Sequence, residues 1–259
     1  MHRQLCWIAG MMLMCVGCQT TGQLSGYTSS TTGSLMTYHK FVSLSTDVTL
    51  PVRMYQPEVV GKVPLIVYLH GMGQRGTDNE QQIAAEGVNL LVQYSIEKNS
   101  PAVILAPQCP TNSEWEADVA TTVIEMIERF KKQDFIDEDR VIITGFSMGA
   151  SGTFNIALME PDVANVYAPV CAGPLVGKDV PDEPIPAQLD DKQIWVQCGY
   201  CDTTVVPDWS KQIVGELWSR GCINNVQFTM HPSYGHDTKP YRDLCFLYWL
   251  FNSSNTVND

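Results

Sequence analysis

The chain has 259 residues, of which 44% are hydrophobic, and a formal net charge of −12. This length and composition predict one large domain with a substantial core. Its surplus of acidic residues repels a phosphate backbone and anionic lipid, which argues against nucleic acid as a partner and against electrostatic docking on a membrane.

The first residues have the pattern of an export signal. A short basic start containing Arg3 precedes an apolar stretch, residues 5–16, that is too short to span a bilayer. The following Val16-Gly17-Cys18 resembles a bacterial lipobox, in which the cysteine becomes the lipidated first residue of the mature protein. We therefore predict a signal peptide over residues 1–17 and lipidation of Cys18 at the cell envelope, either the outer membrane or the periplasm. Ordinary signal cleavage further along, with secretion, is the alternative.

Residues 18–35 are rich in Ser, Thr and Gly and contain almost nothing to bury. This composition is typical of a flexible tether. The folded domain is then predicted to occupy residues 36–259 and to contact the membrane through the lipid anchor only.

Predicted strands and helices alternate along this domain. The strands fall, in chain order, at 36–44, 48–55, 64–69, 102–106, 141–144, 166–170, 194–196 and 226–230. The helices fall at 80–98, 116–132, 149–159, 209–220 and 244–251. Such alternation predicts an α/β fold, with a mostly parallel, doubly wound sheet and helices on both faces.

The strongest chemical signal is Gly145-Phe146-Ser147-Met148-Gly149, which lies between a predicted strand and a predicted helix. Strand, sharp turn and helix are the context in which G-x-S-x-G forms a nucleophile elbow. A side chain at either glycine would collide with the neighbouring backbone, and the serine at the apex would take strained backbone angles with its hydroxyl exposed. We predict that Ser147 is a nucleophile.

A serine nucleophile needs a general base and an acid that orients the base. In this arrangement the chain order is Ser, acid, His, and only His231 and His236 follow Ser147. His236 is predicted as the base because it lies in a loop after the last strand, whereas His231 lies at the end of that strand. Asp202 is predicted as the acid because it follows the strand at 194–196, and catalytic groups cluster at the carboxyl ends of strands.

Acyl transfer also needs N–H donors for the oxygen that becomes negative. The backbone N–H of Met148 is one predicted donor, and that of Met72, in the loop 70–73 after an early strand, is the other. Gly71 is predicted to lie against the substrate. Trp115 is a candidate for stacking on a sugar or an aromatic acyl group, with packing in the core as its alternative. This chemistry requires no metal and no organic cofactor.

The domain retains six cysteines, an even number that permits disulfides in an exported protein. Cys198 and Cys201 form a C-x-x-C string, but it closes a predicted strand instead of opening a helix. A redox role is therefore not favoured. His70 is expected to hold its loop by a structural hydrogen bond.

Several stretches resemble, in the same order, bacterial α/β-hydrolases of the carboxylesterase, feruloyl-esterase and dienelactone-hydrolase-like group. These stretches are 69–80 (LHGMGQRGTDNE), 106–110 (APQCP), 144–149 (TGFSMG), 202–207 (DTTVVP) and 235–237 (GHD). The resemblance covers about residues 50–251. One departure is Cys198, which stands where the group commonly has a histidine before the glycine.

The resemblance implies an α/β-hydrolase fold and hydrolysis of carboxylic esters by a Ser-His-Asp triad. Relatives act on acetyl or feruloyl groups of plant polysaccharides, so a small-molecule or glycan-linked ester is the expected substrate. Two alternatives stay open, namely a serine peptidase of the prolyl-oligopeptidase-like type and a non-catalytic binding protein on the hydrolase scaffold. The sequence does not indicate an oligomeric state.

Overall fold

A computed structural model describes residues 33–174 and 185–254 of the chain. The predicted signal peptide, Cys18 and nearly all of the predicted tether lie outside the described residues, so those assignments stay predictions. None of the helices in the two described ranges has the length and apolarity that a membrane crossing requires.

In the described part of the chain, one sheet of eight strands forms the centre of the domain. The strands are β1 (Thr37–Val42), β2 (Thr49–Tyr55), β3 (Val63–Leu69), β4 (Val103–Pro107), β5 (Ile136–Phe146), β6 (Val166–Val170), β7 (Gln193–Gly199) and β8 (Val226–His231). Their order across the sheet is β1-β2-β4-β3-β5-β6-β7-β8.

The strands from β4 to the β8 edge pair in parallel, whereas β1 pairs with β2 and β2 with β4 in antiparallel fashion. The prediction of a mostly parallel sheet is therefore confirmed. Every residue of β3, β4 and β6 is buried. Such continuous apolar runs are expected where helices cover both faces of a parallel sheet.

Five α-helices of the described residues pack on the sheet, and both faces are covered. They are α1 (Glu86–Glu97), α2 (Ala117–Lys131), α3 (Met148–Met159), α4 (Asp208–Ser219) and α5 (Leu244–Asn252). One core cluster lies between the sheet and α2, α3 and α4, and a second lies between the sheet and α1 and α5. Residues of β3 alternate between the two clusters, with Leu65 and Val67 in the first and Ile66 and Tyr68 in the second, as the period of a strand requires.

Two elements depart from their predicted bounds by more than three residues. The helix predicted at 80–98 is divided into a 3-10 turn, Gln81–Ala84, and α1, because Ala85 between them takes an extended conformation. Strand β5 begins at Ile136, before the predicted start at 141. Its early residues are acidic or basic and partly exposed, so they carry no apolar signal that a sequence pattern could detect.

Candidate active site

Strand β5 leads into a sharp turn at Ser147, and α3 begins at the next residue. Ser147 has φ 57° and ψ −120°, a combination that L-residues rarely adopt, and its N–H donates to the carbonyl of Val170 at 3.0 Å. A Cβ at Gly149 would overlap the carbonyl oxygen of Leu69, and a Cβ at Gly145 would overlap that of Gly149. The two glycines therefore let the elbow lie directly against β3.

The structure brings Ser147, His236 and Asp202 together. The Ser147 hydroxyl lies 2.8 Å from Nε2 of His236, and Nδ1 of the same ring lies 2.8 Å from Oδ2 of Asp202. An ionised carboxylate only accepts, so Nδ1–H donates to Asp202 and leaves Nε2 to accept from the serine. The Asp202 side chain is 1% exposed, whereas the imidazole is 19% exposed and is reachable from the solvent side.

Asp202 is held by its own loop. Its second oxygen, Oδ1, accepts the backbone N–H groups of Thr204 at 2.9 Å and Val205 at 2.8 Å. The carboxylate is thus oriented by two fixed donors, and Oδ2 is directed at the imidazole.

The loop that carries His236 is joined to the acid loop through the backbone. Tyr200 donates its N–H to the carbonyl of His231, and Cys201 donates to that of Tyr234, each at 2.9 Å. A Cβ at Gly199 would overlap the carbonyls of the His236 loop, so a glycine is required there for the two loops to touch. These contacts fix the acid and the base relative to each other.

His231 lies apart from the reacting groups. Its Nε2 bonds to the side-chain oxygen of Gln197 at 2.7 Å, and its ring stacks on Tyr234 with centroids 4.5 Å apart. Burial lowers the pKa of His231. This histidine therefore packs between β7 and the loop, and does not reach Ser147.

The predicted oxyanion donors lie in the turn at Ser147 and in the loop next to it. Leu69 at the end of β3 is paired with Gly145, so the loop that follows β3 and contains Met72 lies beside the elbow. Within the described residues, the backbone N–H groups of Met72 and Met148 have no hydrogen-bond acceptor. Arg75 stabilises this loop, since its Nε–H donates to the carbonyl of Met72 at 3.3 Å.

His70 is a structural residue, as predicted. The ring is fully buried; Nδ1–H donates to the carbonyl of Gly71 at 2.7 Å, and Nε2 accepts the N–H of Cys109 at 3.0 Å. Burial lowers the pKa of His70 to about 4, so the ring is neutral near pH 7. It ties the loop after β3 to the loop after β4.

The proposed stacking role of Trp115 is wrong. Trp115 is 1% exposed, its indole N–H donates to the carbonyl of His70 at 2.9 Å, and its side chain packs against Gly152 of α3. It belongs to the core beneath the loop and offers no face to a substrate. Gly71 is also buried, where a Cβ would contact Phe146 at 3.5 Å, so it contributes close approach of the loop to the elbow.

Sequence reasoning missed Cys171, which follows β6 directly and lies beside the acid and the base. It has φ 58°, which is unusual for a residue with a side chain. Its position at the carboxyl end of a central strand was the available signal. All six domain cysteines are free thiols in the described residues, so none forms a disulfide there.

No family model matches the chain. Among solved structures it is similar to a thermostable esterase, with 27% identity and a TM-score of 0.75 over 86% of this chain and 64% of that one. It is also similar to the feruloyl esterase module from Clostridium thermocellum in complex with sinapinate, with 13% identity and a TM-score of 0.63 over 83% and 85% of the two chains. S-formylglutathione hydrolase from Staphylococcus aureus matches with 16% identity and a TM-score of 0.60, over 84% and 99%.

The chain has the α/β-hydrolase fold, as predicted, and the solved structures named above are esterases and a related hydrolase. It spans 64% of the length of the thermostable esterase, which is slightly less than two thirds.

Proposed function

We propose that this chain is a serine hydrolase of carboxylic esters. The observation that carries the proposal is the unbroken hydrogen-bond chain from Asp202 through His236 to Ser147, with both links at 2.8 Å and the serine on a strained turn. The esterases among the similar solved structures support the same reaction class.

In the proposed mechanism, Oγ of Ser147 attacks the ester carbonyl while Nε2 of His236 takes the hydroxyl proton. The developing imidazolium is stabilised by Asp202, which also keeps the ring in the tautomer that can accept. His236 then returns the proton to the leaving alcohol, and a water molecule, activated by the same base, releases the acyl group from the serine.

The tetrahedral intermediate carries a negative oxygen, and the N–H groups of Met72 and Met148 are its proposed donors. Fixed donors of this kind stabilise the transition state because they need no reorganisation when the charge develops. Loss of one donor in other hydrolases costs on the order of 10²–10³ in kcat.

For the substrate we propose short acyl esters, such as acetyl or feruloyl groups on polysaccharides. Exposed apolar side chains lie on the loops around the triad, with Met72 on the oxyanion loop and Tyr200 and Val206 on either side of Asp202. Such side chains suit an apolar or aromatic acyl group. The sinapinate complex of the feruloyl esterase module supports the aromatic option.

We also propose that the protein is exported and held at the cell envelope through a lipid on Cys18. A labelled fatty acid should be incorporated into the wild type and not into Cys18→Ser, and an inhibitor of lipoprotein signal processing should leave the precursor uncut. An unlabelled mature protein released from cells would contradict the anchor.

The test of function is hydrolysis of p-nitrophenyl acetate and methyl ferulate by the wild type and three variants. Ser147→Ala and His236→Gln should lose nearly all activity. His231→Gln is the matched control, because it removes a neighbouring imidazole that does not touch the serine. Equal rates in the wild type and Ser147→Ala would reject the proposal.

A peptide amide substrate separates ester hydrolysis from the peptidase alternative. Cleavage of the amide at a rate comparable to the ester would favour a serine peptidase. No hydrolysis of either substrate by a folded wild type would favour a binding protein on the hydrolase scaffold.

A further inference from the structure

A thiol that the proposed mechanism does not use lies beside the acid and the base. Cys171 is 2% exposed, and its Sγ lies 3.7 Å from the carbonyl oxygen of Asp237, the residue after His236. Cys171, Asp202 and His236 each offer one atom that could bind a metal ion, and these three atoms all lie within 4.8 Å of one another. Thus a soft ligand, a nitrogen ligand and a carboxylate converge on one largely buried point.

This ligand set matches the preferences of zinc. Zn²⁺ binds thiolate at about 2.3 Å and imidazole or carboxylate at about 2.0–2.2 Å, which places tetrahedral ligand atoms roughly 3.3–3.6 Å apart. The observed limit of 4.8 Å means that side-chain movements of about 1 Å would close the site around the ion. The charges also match, because one thiolate and one carboxylate neutralise a divalent cation, and two of the three side chains are buried.

We propose that Sγ of Cys171, Oδ2 of Asp202 and Nδ1 of His236 form a site for a zinc-like divalent cation, and that its occupancy turns hydrolysis off. On binding, the thiol releases its proton to solvent. The imidazole loses the proton on Nδ1, where the ion binds, and takes up a proton on Nε2. The neutral ring then carries its proton on the nitrogen that faces Ser147. It therefore cannot accept the serine proton. The inhibition rests on the proposed function, whereas the binding of the ion does not.

The burial of Cys171 is consistent with a thiol that does not react in the absence of a metal ion. It raises the pKa of the Cys171 thiol to about 12, so the thiol is uncharged and unreactive until a cation compensates the thiolate. Cys198, near the end of β7, is also buried with a pKa raised to about 11, yet it is not part of the three-residue group. It is therefore a matched control.

Binding is tested without any reliance on activity, using Cd²⁺ as the probe and the ultraviolet absorption of the Cd–thiolate bond as the signal. The Ser147→Ala protein should develop this absorption on titration. Adding Cys171→Ala should abolish the tightest phase, whereas adding Cys198→Ala should leave it. The same absorption with and without Cys171 would overturn the site.

Inhibition is tested by titrating Zn²⁺ against ester hydrolysis, with each variant measured relative to its own rate in EDTA. Removal of a metal ligand should weaken inhibition by about tenfold or more, since even supporting residues around metal sites contribute 10- to 100-fold. We expect that loss in Cys171→Ala and wild-type sensitivity in Cys198→Ala. Equal sensitivity of Cys171→Ala and the wild type would overturn the switch. An inactive wild type would reject the proposed function. The cadmium titration would still test whether the site binds a metal ion.

Discussion

The two sides of the active site are held by different forces. On the nucleophile side, Ser147 and the loop 70–73 are positioned by backbone pressed against backbone, so closely that Gly149 leaves no room for a methyl group. On the acid–base side, Asp202 and His236 are positioned mainly by hydrogen bonds within and between two loops, which also touch at Gly199. Substitutions on the first side should therefore act on folding, and those on the second side should act on chemistry.

The largest effect is expected for Asp202→Asn, which tests the second half of this comparison. An amide in place of the carboxylate favours the wrong imidazole tautomer, and kcat should fall by about 10⁴-fold, or about 5 kcal/mol in the barrier. The thermal midpoint should change little, because the oxygen that accepts from Thr204 and Val205 is retained. Asp208→Asn, on an exposed carboxylate paired with Lys211, is the control. Unchanged kcat in Asp202→Asn would remove this residue from the mechanism.

Gly149→Ala tests the first half. The added methyl would overlap the Leu69 carbonyl, so we expect a loss of more than about 4 kcal/mol in the free energy of unfolding and little soluble protein. Gly73→Ala lies in the adjacent loop and meets nothing within 4 Å, so it should fold normally. Urea unfolding of both variants measures the difference. A Gly149→Ala protein as stable as Gly73→Ala would contradict the close-packed elbow.

His70 should make the nucleophile side sensitive to acid. Its folded pKa of about 4 is below the unfolded value of about 6.5, so protonation favours the unfolded state. The free energy of unfolding should have its full value above about pH 6.5 and should fall as the pH drops towards 4. The expected loss is about 2 kcal/mol between about pH 7 and pH 5. Urea unfolding at the two pH values measures this slope. His70→Gln should show a flatter slope, whatever its stability at neutral pH, and an equally steep slope would contradict the assignment.

The smallest effect is expected where the two sides are joined. The Tyr241 hydroxyl, which follows the His236 loop, donates to Oγ1 of Thr144 in β5 at 2.7 Å, and Thr144 donates onward to the carbonyl of Ala168. Tyr241→Phe removes one of these two bonds, and should cost about 1–2 kcal/mol in unfolding free energy while most ester hydrolysis is retained. Tyr248→Phe, on a half-exposed side chain, should be neutral. Equal stability of the two variants would show that the link contributes nothing.

The sequence allowed the fold and the position of each triad residue to be predicted, because these depend on local patterns. The elbow motif, the chain order of Ser147, Asp202 and His236, and the rule that strand ends meet at one edge were sufficient to place the three residues together. Their catalytic roles stay predictions. The carboxyl ends of β5, β7 and β8 do supply these residues in the structure.

The features that were missed depend on contacts between distant segments. For Trp115 the sequence left stacking on a substrate and packing in the core as alternatives, because its burial depends on contacts such as that with Gly152, which lies in another element. Cys171 approaches the acid and the base only because β6 lies between β5 and β7. The charged residues 137–140 near the start of β5 lack the apolar pattern of a strand, and they lie at a register shift between the pairs that Ile136 and Val141 make with β3. None of these contacts can be predicted from a short stretch of sequence.

The imidazole enters from the turn that follows β8, the final strand along the described chain. A nascent polypeptide that has emerged only as far as Asp202 holds an alcohol and a carboxylate but has no base to take the hydroxyl proton. Under the proposed mechanism, ester hydrolysis therefore requires that the whole sheet has folded. A colony screen for ester cleavage would select for complete folding as strongly as for chemistry.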